Sequence, residues 1–127
     1  MPTATLNQLP APLNVNLVAG DELNFTLRFK TDAGAAFDLT GYTLTAKVYV
    51  SRTRAGATSP PAVGTEVLTF SQTVAASAGE VLLGLTETQT AQLQSADVLA
   101  WRWYCRWVSP GGVTRTVTSG AIVGGTP

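Results

Sequence analysis

Residues 23–30 read Leu23-Asn24-Phe25-Thr26-Leu27-Arg28-Phe29-Lys30, and this alternation of four large apolar groups with four polar ones decides the fold. A helix, whose face repeats every ~3.6 residues, cannot separate such a pattern into two sides. A strand, whose side chains alternate with a period of ~2, separates it completely. Working outward, Leu13, Val15 and Leu17 alternate with Asn14 and Asn16 until the turn at Gly20-Asp21. On the other side, Asp32-Ala33-Gly34 has turn chemistry, and Phe37-Asp38-Leu39-Thr40-Gly41 forms a second bend. Tyr42, Leu44, Ala46, Val48 and Val50 then share one face, opposite Thr43, Thr45, Lys47 and Tyr49.

The same period continues. Val67 to Phe70 predicts a strand, and Val81, Leu83 and Leu85 predict another, with a small-residue turn from Ala75 to Gly79 between them. At Thr86 the period changes: a hydroxyl followed three residues later by Gln89 is a capping-box signature, and a short helix is expected over residues 87–95. In residues 98–108, Leu99, Trp101, Trp103, Cys105 and Trp107 are expected on the core face, opposite Ala100, Arg102, Tyr104 and Arg106. Ser109-Pro110-Gly111-Gly112 is a hairpin turn, and Val113, Arg115 and Val117 begin the return strand, interrupted by Gly120 before Ala121-Ile122-Val123.

About seven short strands with turn signals between them predict an all-β domain, an immunoglobulin-like antiparallel β-sandwich with one short helix. A closed barrel is the alternative architecture. A length of 127 residues suits one core. Residues 1–12 carry three prolines and no period, and are expected as an extended arm; residues 13–123 form the domain, and residues 124–127 a tail.

Eight basic residues balance eight acidic ones, so no net field steers the domain toward nucleic acid or an anionic membrane, and neither partner is expected. Only 13% of residues are charged, against about 25% in a typical soluble protein. Two readings stand: Thr favoured on open strand positions, or a surface buried in an assembly. Met1 to Leu13 holds no basic residue and no apolar run of signal-peptide length, so synthesis in a cytoplasm without Sec export is expected.

Without histidine, the commonest general base and metal ligand are both missing. Cys105, the only cysteine, alternates with two tryptophans on the apolar face, where a thiol is inert. The acids fall mainly at turns, where Asp commonly bonds its own backbone, and no paired carboxylates or acidic calcium loop stand out. Phosphate-cradling glycine motifs are absent too. The expectation is a chain with no enzymatic activity, no cofactor and no metal.

Two places remain for contacts. The stretch 51–64 breaks all periodicity and carries Arg52 and Arg54; it is either a binding loop or a solvated one. Arg102, Tyr104 and Arg106 make a basic-aromatic stripe on the polar side of the tryptophan strand, either a recognition surface for protein carboxylates or sugars, or a solvated face with Arg stacked on Tyr. The tryptophans crowding that strand also raise a carbohydrate-binding module, although alternation turns them inward.

Gly20-Asp21-Glu22-Leu23-Asn24-Phe25, Phe29, Asp32, Gly34 and Phe37-Asp38-Leu39-Thr40-Gly41-Tyr42 form one motif set, and Gly79 to Thr86 with Gln89, Thr90 and Leu93 form a second. With the aromatic strand, the glycine hairpin and Val113 to Val123 around Gly120, the chain from about residue 13 to 123 resembles the N-terminal β-sandwich domain of upper baseplate proteins of tailed bacteriophages. The resemblance implies a virion protein, present in multiple copies, that docks onto the tail or baseplate and connects it to fibres. Its implied partners are other phage structural proteins. A chain without coiled-coil or receptor-binding extension raises the alternative of a capsid decoration subunit bound to the major capsid protein.

Overall fold

The computed structural model describes residues 3–6, 11–18, 20–31, 33–56, 62–93 and 98–125. The alternating stretch is strand β4 (Leu23–Phe29), following β1 (Thr3–Leu6), β2 (Ala11–Pro12) and β3 (Val15–Val18). Phe25, Leu27 and Phe29 are buried while Asn24, Thr26 and Arg28 face outward, as the period requires. After it come β5 (Thr43–Thr53), β6 (Glu66–Thr69), β7 (Ser71–Ala75), β8 (Glu80–Leu85), β9 (Val98–Val108) and β10 (Thr114–Gly125). One sheet runs β1-β4-β8-β7; the other runs β10-β9-β5-β6, with β2 and β3 both lying along the far side of β10. These orders match the ABED and GFC sheets of an immunoglobulin-like sandwich, with β6 added as a C′ strand.

Two aromatic clusters fill the space between the sheets. Trp103, fully buried, meets Phe25 edge-on at 5.5 Å and Phe70 at 5.6 Å between ring centroids. Toward the other end of β9, Trp107 stacks on Phe37 at 5.2 Å and touches Tyr42 and Phe29. Truncating a buried aromatic of this kind typically costs about 3–5 kcal/mol.

Both flanks are closed by chain that changes sheets. On one flank, β6 in the larger sheet leads through buried Phe70 to β7 in the smaller one, and the Gln72 amide donates across to the Leu44 carbonyl at 2.7 Å. On the opposite flank, β1 pairs in parallel with β4, whereas β2 and β3 pair in parallel with β10. Between β2 and β3 the backbone presses against Gly120, where an added Cβ would stand 1.8 Å from the Leu13 carbonyl oxygen. The same oxygen accepts the Trp103 indole N–H at 2.8 Å, so this close backbone approach is tied to a fully buried core tryptophan. Glycine is the residue that permits it.

The sandwich agrees with expectation in class and differs in detail. Thr3–Leu6 and Ala11–Pro12, expected in an arm outside the domain, are strands, because the open edges of β4 and β10 need backbone partners. With β7 they bring the strand number among the described residues from the expected seven to ten, and β1 and β2 add two parallel pairings to that of β3 with β10 in an otherwise antiparallel sandwich. Gly124 and Gly125, expected in the tail, end β10. Leu99 is 54% exposed instead of facing the core, and Val98 is buried in its place. The cause is the register shift of β5 against β9 around Arg52, which inverts the alternation at that end. The capping box forms as expected, with Thr86 and Gln89 bonding each other's backbone N–H, but the helix α1 is only Glu87–Ala91. Residues 1–2 and 7–10 of the arm, Asp32 of the first turn, 57–61 of the long connection, 94–95 of the expected helix and 126–127 of the tail lie outside the described residues.

Candidate functional site

Strand pairing lays the polar side chains of the larger sheet out in rows. Across β10, β9 and β5 one row is Thr116, Arg106 and Thr45; the next is Ser119, Tyr104 and Lys47; the third is Ala121, Arg102 and Tyr49. Thr69 and Glu66 extend the second and third rows onto β6. No described strand or helix of the two-sheet order lies over this face.

Tyr104 is its centre. The Tyr104 hydroxyl donates to the Glu66 carboxylate, and the Arg106 guanidinium stands 4.4 Å over the Tyr104 ring centroid. Tyr49 lies alongside at 6.1 Å between centroids, and the Arg106 Nε donates to the Thr116 hydroxyl at 3.2 Å. Lys47 reaches Glu66 from the other side at 3.5 Å. The Tyr104 hydroxyl bond, more than the neighbouring Lys47, holds the Glu66 carboxyl below the usual carboxylate range. Partial burial, and then the bond to Glu66, pushes the Tyr104 hydroxyl above the ordinary tyrosine value. Around neutral pH the pair is therefore a phenol donating to a carboxylate, with Arg102, Arg106 and Lys47 outnumbering the single acid. Tyr49, Glu66, Tyr104, Arg106, Thr116 and Ser119 line a shallow cleft of about 360 Å³ together with Gly64.

Of the expected contact residues, the structure thus brings Tyr104 and Arg106 together and keeps Arg102 one row away on the same face, in register with Tyr49. Arg52 and Arg54 are exposed at and just beyond the irregular end of β5 and do not line the cleft. Lys47, Tyr49 and Glu66 were not among the expected residues. The outward period of β5 marks Lys47 and Tyr49, but Glu66 joins them only through the pairing of β6 with β5.

No protein-family model and no curated protein matches this chain.

The residues that carry the resemblance have structural work instead. The Gly20 N–H donates to the hydroxyl of buried Thr90 at 3.1 Å, and that hydroxyl lies 2.8 Å from the Asp21 carbonyl, so the first turn is pinned to α1. Asp38 accepts from the Thr40 hydroxyl at 2.6 Å and from its backbone N–H at 2.9 Å; these two bonds, the hydroxyl first, lower its pKa. The bend so formed places Phe37, Leu39 and Tyr42 over the end of the core at Trp107. Gly79, at φ 65°, lets the Phe29 and Phe37 backbones approach to where a Cβ would clash. Cys105 is fully buried, and burial pushes its thiol up to about 12, far from a reactive thiolate.

Proposed function

We propose that this chain is a non-catalytic structural subunit of a tailed-bacteriophage virion, a tail or baseplate adaptor or fibre-docking subunit acting through protein–protein contacts. The observation that carries the reading is the outer face of the larger sheet, where Arg102 and Arg106 are exposed beside half-buried Tyr49 and Tyr104. Tyr and Arg are the residue types enriched at the centres of protein interfaces, because each offers large contact area with a directed polar group. The motif residues, being occupied in turns and core, support kinship of fold and leave recognition to this face. A low charge content also favours a surface destined for burial between subunits.

Sugar binding is favoured less. Trp103 and Trp107 are buried, and the indole N–H of half-buried Trp101 is committed to the Leu93 carbonyl at 3.0 Å. Tyr49 and Tyr104 are tilted by 44° to each other and form no flat platform. Between tail adaptor and capsid decoration, copy number decides.

Quantitative mass spectrometry of purified particles tests the proposal. The chain is expected among the particle proteins, at tail-like copy number, and a folded Tyr104→Ala/Arg106→Ala variant is expected to be depleted about tenfold or more, as hot-spot loss implies. Particles that assemble fully without the chain would sink the proposal.

A further inference from the structure

β7 is an edge strand of a kind that soluble proteins usually blunt. Charged side chains, proline, bulges or a covering segment ordinarily protect such an edge from pairing with another chain. Ser71-Gln72-Thr73-Val74-Ala75 has no charge and no proline, and all five residues are exposed. Its ladder with β8 runs without a shift from Ser71 opposite Gly84 to Ala75 opposite Glu80. Among the described residues no backbone hydrogen bond reaches the free side of β7. The edge of the larger sheet on the same flank is different: β6 carries Glu66 and a register shift against β5.

We propose that β7 is a self-association edge, at which a second copy of this chain pairs β7 to β7 in antiparallel fashion about a two-fold axis at Thr73. The joined smaller sheets would form one continuous sheet of eight strands. A second copy is the occupant the chemistry selects. Antiparallel self-pairing sets Thr73 opposite Thr73, Gln72 opposite Val74 and Ser71 opposite Ala75, so no charge meets a like charge, and β-branched Thr pairs favourably with itself. The first charges inward from the seam are Glu80 of each copy, and each is already paired with its own Arg28 at 3.5 Å. At the opposite end of the ladder, the Ser71 hydroxyl donates back to the Gly84 carbonyl at 3.2 Å, so that end of the seam carries no charge either. The chain's formal net charge of +0 removes long-range repulsion between copies. The inference goes beyond the proposed function and uses a different surface, so either can fail without the other.

Sedimentation velocity on the full chain, from about 1 to about 500 µM so as to span weak affinities, tests it. A concentration-dependent dimer is expected. Thr73→Lys, which sets like charges face to face at the axis, is expected to weaken it about tenfold or more while leaving the circular-dichroism melting midpoint of the monomer unchanged, since Thr73 is exposed. Thr73→Glu should behave alike, and an equimolar mixture of the two variants should recover the dimer. A wild-type chain that stays monomeric throughout, or a Thr73→Lys chain that dimerises as tightly as wild type, overturns the proposal.

Discussion

Cys105 sits between Trp103 and Trp107 along the inner face of β9, and its thiol pKa is pushed from the ordinary 9.0 up to about 12 by burial. Between those values the unfolded chain releases the proton and the folded chain keeps it, so the folded state loses ground as pH rises through that window. The loss approaches at most about 1.4 kcal/mol per pH unit. A Cys105→Ala variant should therefore show a flatter fall of the urea midpoint between pH 9 and 12 than wild type. Equal slopes would mean that the thiol is hydrated in the folded state. The inward position of Cys105 is legible in the sequence because Trp103 and Trp107 flank it at the strand period. The company of Tyr104 is only half legible: alternation turns it and Arg106 outward, but nothing local to either residue announces Glu66, which arrives from a strand 38 residues away.

Elements were readable where one face is buried and the other wet. β4, β5 and β8 alternate cleanly; β4 and β8 lie within a residue of their expected spans, whereas β5 runs on to Thr53, three residues into the stretch expected as a loop. β7 carries no such signal, since a strand exposed on both sides has no apolar period to detect, and a bulge beside Arg52 defeats the period at the start of β9. The turn before β4 and the helix α1 were readable separately, by Gly20-Asp21 and by the capping box; their connection was not. It rests on Thr90, whose hydroxyl accepts the Gly20 N–H and stands within hydrogen-bond reach of both the Asp21 and Glu87 carbonyls. Thr90→Val keeps the shape but strands the Gly20 N–H and the Asp21 carbonyl, and should cost about 1–3 kcal/mol. Urea unfolding monitored by tryptophan fluorescence measures it, with Thr90→Ser expected to lose much less. If Val and Ser cost the same, the hydroxyl is not what joins turn and helix.

At the scale of the molecule, the decisive question is what the first eighteen residues do. Residues 1–12 carry three prolines and read as a separable arm, and for a separable arm deletion is harmless. In the structure, segments of this stretch pair with both sheets, and between β2 and β3 the Leu13 carbonyl receives the Trp103 indole N–H. Removing residues 1–18 would open the backbone edges of β4 and β10 at once. Val15 and Leu17, both buried, would leave the core, each worth about 1.5–3 kcal/mol. The stranded indole N–H adds about 1–3 kcal/mol if no water reaches it. Set against a total stability of about 5–15 kcal/mol for an ordinary domain, these losses take most of what holds the sandwich together. The truncated chain is expected to lose its cooperative thermal transition and to aggregate through the uncovered edges, and differential scanning calorimetry with light scattering would register both. A truncated chain that melts at the wild-type midpoint would return residues 1–18 to the status of an arm, and would mean that the sandwich is already complete from β4 onward.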